Sequence, residues 1–244
     1  MKRLVVNADD FGFTPEVNAG IVHAHRHGIL TSTTLMATGD AFEDAVRLAK
    51  ETPGLDVGCH LVLVQGNFPP TVARALAAIR RGEIDVEAEL RGQIEKVLGM
   101  GLRPTHLDTH KHMHVWPAVF SSVVRLAQEF RIPYVRLPFV ACSFVHRRYA
   151  AIARRSGIKM TDHFLGFRLT GSLTEDKLAH ALSRLREGTT EFMCHPGWAG
   201  PELMRAATRL KESREKEIGA LTSPRIRQMV EAHGIELTSF GQLT

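Results

Sequence analysis

Short apolar segments typical of β-strands alternate with helical patterns along the whole chain of 244 residues. This alternation constrains the fold most, because strands separated by helices form a parallel sheet that is covered by those helices. Seven or eight strands in a chain of this length favour a closed or nearly closed (β/α) barrel, which we expect to form one domain over residues 1–244. The predicted strands are Leu4–Ala8, Thr33–Ala37, Leu55–Val64, Thr105–Thr109, Pro133–Leu137, His163–Leu169, Glu191–Cys194 and Ile235–Ser239.

Local signals mark where several helices begin and end. Thr14 and Pro15 predict the N-cap and first position of a helix that runs to Gly28. Asp40 is predicted to cap the second helix, and the last helix opens at Ser223-Pro224 and stops at Gly234. The remaining predicted helices cover about 71–81, 85–100, 117–130, 143–156, 173–186 and 203–220.

Composition excludes several classes of protein. Hydrophobic residues make up 44% and charged residues 23% of the chain, which is typical of a globular protein rather than a disordered one. An apolar run of the roughly 20 residues that a transmembrane helix needs does not occur. The three widely spaced cysteines, Cys59, Cys142 and Cys194, indicate reduced thiols and a cytoplasmic location. We interpret Cys59 and Cys194 as small apolar residues packed under helices.

The net charge of +5 comes from one segment of the chain. Eight basic residues and one acid fall between Val123 and Met160, which argues against a dedicated nucleic-acid-binding protein. Within this segment, Ser143–Gly157 has the pattern of a barrel helix with solvated arginines and an apolar inner stripe of Val145, Tyr149 and Ile152. A second interpretation is weak contact of the arginines with an anionic membrane surface. The basic positions are Arg147, Arg148, Arg154 and Arg155. The sequence leaves a homodimer open.

Polar residues follow four predicted strands at their carboxyl ends, where the loops of a (β/α) barrel build the active site. Asp9-Asp10 follow the first strand, and His195 follows the seventh. The carboxylates either cap a turn or serve two roles, because adjacent side chains in extended backbone point apart. His60 in the third strand is either a core histidine or a ligand. His195 either belongs to a strand-ending turn or acts as a general acid near neutral pH.

A run of histidines at the fourth strand is the strongest chemical signal. His106, Asp108, His110, His112 and His114 would share one face if the chain stayed extended. Burying them together without a cation or hydrogen-bond partners would be costly. We therefore interpret the run as one or two metal ligands with supporting residues, in preference to a polyhistidine surface without function. Two His and one Asp leave coordination positions open, as in catalytic sites.

At these residues the chain resembles the YdjC-like carbohydrate deacetylases of the chitooligosaccharide deacetylase type. The resemblance implies a distorted, TIM-like and NodB-like (β/α) barrel that removes N-acetyl groups from amino sugars. It also implies a divalent metal held by Asp10, His60 and His110, with Asp9 as base. A weaker likeness is to the branch linked to hopanoid biosynthesis, whose sugar carries a lipid. The matching stretches are Asn7–Gly12, Gly28–Thr34, Gly58–His60, Pro104–His110 with His112 and His114, and Met193–Pro196. Cys59 departs from the larger apolar residue that relatives often carry.

The residue types agree with amide hydrolysis. A metal can polarise an acetyl carbonyl and activate water, while an acid protonates the departing amine. We assign that acid to His195. Two His and one Asp suit Zn²⁺, and Mg²⁺ is the alternative that the family suggests.

Two other functions compete with that of a deacetylase acting on N-acetylated sugars. One is a barrel hydrolase of phosphoesters with a second metal near His112 and His114, and the other is a sugar-binding protein without activity.

Overall fold

The structure is a computed structural model that describes residues 1–138 and 143–243. Its strands are β1 (Lys2–Phe11), β2 (Ser32–Leu35), β3 (Asp56–Leu61), β4 (His106–Thr109), β5 (Tyr134–Val135), β6 (His163–Leu165), β7 (Gly188–Cys194) and β8 (Ile235–Leu237). Its helices are α1 (Pro15–His27), α2 (Phe42–Lys50), α3 (Val72–Arg80), α4 (Val86–Gly99), α5 (Pro117–Glu129), α6 (Ser143–Arg155), α7 (Glu175–Ser183), α8 (Pro201–Arg205), α9 (Ser213–Leu221) and α10 (Pro224–Ala232). The predicted alternation of strands and helices is confirmed.

The chain forms two compact units, and β1 is the central strand of the first. This unit comprises Met1–Thr33, Asp40–Asp56 and Thr161–Thr244. β1 pairs in parallel with β7 from Lys2 opposite Gly188 to Ala8 opposite Cys194. β8 pairs in parallel with the start of β1, and β6 pairs in parallel with β7. Because it has neighbours along its length, β1 is buried from its third residue to its last.

The second unit comprises Thr34–Gly39 and Val57–Met160 and contains β3, β4 and β5. These strands also pair in parallel, and the register sets His60 of β3 opposite Asp108 of β4. Apolar side chains of α4 and α5 are buried in this unit, among them Ile94 and Phe120. Parallel pairing brings the carboxyl ends of β3 and β4 to the same edge, which places the third- and fourth-strand residues side by side.

Two of the three predicted helix starts are confirmed. Thr14 Oγ1 accepts a hydrogen bond from the Val17 amide, and Ser223 caps α10 in the same way. The prediction for Asp40 is wrong, because α2 begins at Phe42 and its N-cap is Ala41, whose side chain makes no capping bond. The Ala41 amide instead donates to the carbonyl of Gly12 at 3.0 Å. This bond to the turn after β1 fixes the start of α2 one residue later.

The predicted single helix over 203–220 is wrong, because the chain forms α8 and α9 with an irregular segment between them. Ala206 has extended backbone (φ −64°, ψ 149°), which ends α8. The Leu210 amide then donates to Thr208 Oγ1 at 3.1 Å, so this hydroxyl stabilises the break. The helix α9 follows this break, and its buried residues include two charged ones, Arg214 and Glu217.

The basic helix α6 exposes Arg147, Arg148, Arg154 and Arg155 to solvent, as predicted. Tyr149 of the predicted inner stripe is buried, and its hydroxyl donates to the Val115 carbonyl at 2.6 Å.

Cys59 and Cys194 are free thiols and are buried, as predicted for small apolar residues. Cys142 lies outside the described residues. Among residues 1–138 and 143–243, no helix combines the length and apolar character that crossing a membrane requires.

Close packing between β3 and β4 generates a stability prediction. A Cβ atom at Gly58 would lie 2.6 Å from the carbonyl oxygen of His106. We expect Gly58→Ala to lower the free energy of unfolding by about 1–3 kcal/mol, the usual effect of overpacking. Gly92 of α4 is the control, since a Cβ there meets nothing within 4 Å. Gly92→Ala should be neutral or stabilising by up to about 1 kcal/mol. Urea denaturation of both variants checks this, and a Gly58→Ala midpoint equal to the wild type would contradict it.

Candidate active site

The end of β1 holds two buried carboxylates in different surroundings. Asp9 accepts a hydrogen bond from the side-chain amide of Asn7 at 3.1 Å, and its Oδ2 lies 4.0 Å from Nε2 of His195. Asp10 has φ 70°, in the left-handed region that is uncommon for a residue other than glycine. The first unit therefore brings Asp9 and His195 together.

The turn after Asp10 is held by Asn18 of α1. The amide of Gly12 donates to Asn18 Oδ1 at 2.6 Å, and the Asn18 side-chain amide donates to the Ala41 carbonyl and to Asp44. The Phe13 amide closes the turn by donating to the Asp10 carbonyl at 3.0 Å. These contacts over-determine the backbone and so stabilise the positive φ of Asp10.

Arg214 of α9 binds Asp10. Its guanidinium donates to Asp10 Oδ2 at 2.5 Å, while its Nε donates to the Leu210 carbonyl at 3.1 Å. The side chain of Arg214 is 1% exposed, so this is a buried charge pair. Removing one member of such a pair leaves the other charge unpaired in low dielectric, which makes each dependent on its partner.

Glu217, one turn after Arg214 on α9, is also buried. Its carboxylate accepts a hydrogen bond from the backbone amide of His195 at 2.6 Å. Burial raises the pKa of Glu217 to about 7, although this bond and the charge of Arg214 favour its ionised form. The helix α9 therefore contacts both Asp10 at the end of β1 and the backbone of His195 after β7.

In the second unit, Asp108 connects three side chains. Its Oδ1 lies 2.7 Å from Nδ1 of His60, and its Oδ2 accepts from Arg136 at 2.6 Å and from the hydroxyl of Thr34 at 3.2 Å. Arg136 and Asp108 are both fully buried. Because Asp108 is a carboxylate acceptor, it fixes the proton of His60 on Nδ1 and leaves Nε2 as the nitrogen with a lone pair.

His110 faces that nitrogen. Nε2 of His60 lies 3.3 Å from Nδ1 of His110, and Nε2 of His110 lies 3.0 Å from Oε1 of Gln65. If Nε2 of His110 donates to this amide oxygen, its Nδ1 also carries a lone pair in the neutral ring. Two lone pairs then face each other, an arrangement that a metal cation bound to both nitrogens would stabilise. The separation of 3.3 Å is compatible with two ring nitrogens that bind one divalent metal ion.

The rest of the histidine run does not share one face, so that part of the interpretation is wrong. The chain leaves the extended conformation at His110 and forms a 3₁₀ turn, His110–Val115, with positive φ at Lys111 and His112. Nδ1 of the buried His114 lies 2.6 Å from the Thr109 hydroxyl instead. Within the described residues, neither His112 nor His114 belongs to a group of three side chains able to hold a metal.

Comparison with known proteins gives the family. Residues 3–232 match the model of the YdjC-like protein family. The chain belongs to the YdjC-like family. A relative from Brevibacillus brevis, named carbohydrate deacetylase, is 35% identical over 99% of both chains. This confirms the resemblance that the motifs of the sequence predicted.

Solved structures agree with the predicted fold class. This YdjC-like chain resembles a putative cellobiose-phosphate cleavage protein from Enterococcus faecalis, with TM-score 0.86 and 26% identity over 100% of this chain and 99% of the other. It also resembles a family 4 carbohydrate esterase from Streptomyces lividans, with TM-score 0.51 and 13% identity over 97% and 91% of the two chains. The second likeness concerns the fold alone and supports the distorted (β/α) barrel.

Sequence reasoning missed three buried charged residues of this site, Arg136, Arg214 and Glu217. One signal for the last two was available, because Arg214 and Glu217 share the helical spacing of the apolar residues Ile218 and Leu221. A charged residue on the apolar stripe of a helix is buried and must have a partner. No comparable periodic signal marks Arg136, which follows the two-residue strand β5.

The raised pKa of Glu217 predicts a pH dependence of stability. In the folded chain this carboxyl titrates at about 7, against an ordinary value of 4.5. The folded state therefore retains a proton that the unfolded chain releases, and the free energy of unfolding falls as pH rises between these values. Glu217→Gln removes this loss, so the variant should gain stability relative to the wild type from about pH 4.5 to about pH 7. Urea denaturation of both proteins across this range checks it, and a pH-independent difference would count against it.

Proposed function

We propose that this YdjC-like chain is a metal-dependent carbohydrate deacetylase that removes the N-acetyl group of an amino sugar or of a short N-acetylated oligosaccharide or glycoconjugate. The facing nitrogens of His60 and His110, 3.3 Å apart, are the observation that carries the proposal. The name of the Brevibacillus brevis relative, which matches nearly the whole chain, supports the reaction. The family model extends over 3–232, which supports one catalytic domain across both compact units.

In this proposal Asp10, His60 and His110 hold one divalent ion, Zn²⁺ or Mg²⁺. They offer one carboxylate and two ring nitrogens, a donor set suited to a metal. When bound, the ion supplies polarisation of the acetyl carbonyl and a lower pKa for bound water. Asp108 keeps the His60 ring in the tautomer that presents Nε2, and Gln65 does the same for Nδ1 of His110.

Asp9 is the proposed general base and His195 the proposed general acid. Asn7 holds one oxygen of Asp9, so the carboxylate is oriented to accept the proton of the attacking water. His195 then donates a proton from its ring to the departing amine, which would otherwise be a poor leaving group. The two groups lie 4.0 Å apart, which is close enough for both to serve one reacting amide.

Two alternatives are less well supported. A two-metal phosphoester hydrolase would need a second ion, and the described neighbourhood of His112 and His114 offers no third ligand for it. A sugar-binding protein without activity would have no use for Asp9, which is 3% exposed and costs free energy to bury.

Acetate release and metal content test the proposal together. We expect the wild type to release acetate from at least one member of a panel of N-acetylated amino sugars and oligosaccharides. Asp9→Asn should keep its metal and lose about 10²–10⁴-fold in kcat, the usual contribution of a general base. His110→Ala should lose metal and activity together, as measured by elemental analysis of the purified protein.

His114→Ala is the matched control for His110→Ala, since it removes an imidazole from the same 3₁₀ turn. It should retain the metal. Near-normal activity of Asp9→Asn would exclude Asp9 as base. Full metal occupancy in His110→Ala would exclude this ligand set.

We also propose weak contact of α6 with an anionic membrane surface, where a lipid-linked amino sugar would lie. The support is four exposed arginines on a helix without an acidic residue. Each contributes about 1 kcal/mol near such a surface, which is enough for docking that salt reverses.

Vesicle sedimentation tests this contact. Vesicles with anionic lipid should bind the wild type at low salt and release it at high salt. The variant with Arg147, Arg148, Arg154 and Arg155 all changed to Gln should remain in the supernatant. A control variant in which four exposed arginines outside α6 are changed to Gln has the same net charge and should still bind. Suitable positions are Arg47, Arg80, Arg184 and Arg227. Equal sedimentation of both variants would overturn the proposal.

A further inference from the structure

The backbone amide of His195 is the first one beyond the ladder between β1 and β7. The pairing of these strands ends with Ala8 opposite Cys194, so the next amide must find an acceptor elsewhere. Glu217 provides it from α9 at 2.6 Å. The side chain that satisfies this amide is thus a buried carboxylate, although burial opposes its charge.

Packing alone does not account for a glutamate at position 217. A hydrophobic residue of similar size would fill the space without binding the His195 amide, which Glu217 accepts at 2.6 Å.

One turn earlier, Arg214 fixes α9 to the end of β1. Its bond to Asp10 and its bond to the Leu210 carbonyl hold the helix where Glu217 meets His195. Two residues three positions apart on α9 therefore contact the end of β1 and the first amide after β7. Asp9 and His195 stand on those two ends.

We propose that Glu217 is a positioning residue that aims the ring of His195 at the reacting amide, an inference that rests on the proposed function of His195. Glu217 binds the His195 backbone, and rotation of that peptide would move the ring away from Asp9. Misplacement of a reacting group by about 1 Å can lower turnover about 10²-fold. The length of the side chain matters in this role more than its charge.

A comparison of three variants separates length from charge. N,N′-diacetylchitobiose serves as the substrate, with acetate release as the assay. Glu217→Ala should lower kcat about 10–100-fold with KM within about 3-fold of the wild type, because substrate binding does not use this bond. Glu217→Gln keeps the length and an acceptor oxygen and should recover most of kcat. Glu217→Asp keeps the charge but is shorter, and should be slower than Glu217→Gln. The reverse order of Gln and Asp would overturn the proposal.

A double-mutant cycle with His195 shows whether Glu217 acts through it. In the His195→Ala background, Glu217→Ala should cost less than about 2-fold in kcat, because the ring to be aimed is gone. Glu215 of the same helix is the matched control, since its carboxylate accepts the Ala199 amide at 2.9 Å in the same loop. Glu215→Ala should change kcat less than about 2-fold. An equal loss for Glu217→Ala in both backgrounds would overturn the inference.

Proton NMR of the histidine rings separates this inference from the proposed reaction. The His195 signal is the one missing from His195→Ala. It should shift in Glu217→Asp and stay in place in Glu217→Gln and Glu215→Ala. If the protein releases no acetate but shows these shifts, the proposed function is wrong and the positioning contact is supported. A His195 signal unmoved by Glu217→Asp would overturn the positioning role, whatever the activity.

Discussion

The pairing of buried carboxylates with buried arginines is the interaction on which the candidate site depends. Asp10 is bound by Arg214 and Asp108 by Arg136, and both arginines are at most 1% exposed. Burying an isolated carboxylate at either position would cost free energy. Each arginine places an opposite charge beside its carboxylate, whose oxygens can then bind a cation or orient a histidine ring inside the protein.

These two pairs act on different parts of the chemistry. Arg136 stabilises the charge of Asp108, which in turn orients His60, so its influence reaches a proposed ligand through two contacts. Arg214 binds the proposed ligand Asp10 directly. A carboxylate has about four lone-pair sites on its two oxygens, so a bond to Arg214 is compatible with a cation. The Arg136–Asp108 pair therefore orients a neutral proposed ligand, His60, whereas Arg214 stabilises a charged one, Asp10.

The sequence predicted those features whose cause is local. Thr14 and Ser223 cap helices because the helix start needs an acceptor within three residues, and the sequence shows that acceptor. Asp40 is also a residue type that commonly caps helices. However, the Ala41 amide donates to the Gly12 carbonyl in the turn after β1, and the helix starts one residue later. The histidine run failed at His110 for a related reason, because period-two alternation holds only while the chain stays extended. In each failure a tertiary bond or a backbone turn overrode a correct local preference.

The residues that could not be predicted are those whose partners lie far along the chain. Arg214 and Asp10 are 204 positions apart, and no periodicity relates them. The sequence pattern shows only that Arg214 and Glu217 occupy positions of a helix where apolar residues are expected. Their charge conflicts with the burial of those positions. Such conflicts persist in natural proteins mainly where function requires them. A charged residue on the inner stripe of a helix that follows an acid-bearing strand end is therefore the feature to search for when a (β/α) sequence is examined for residues that support its site. In this chain that search leads from α9 to Asp10 and His195, the two ends that any acid–base reaction here must bring into register.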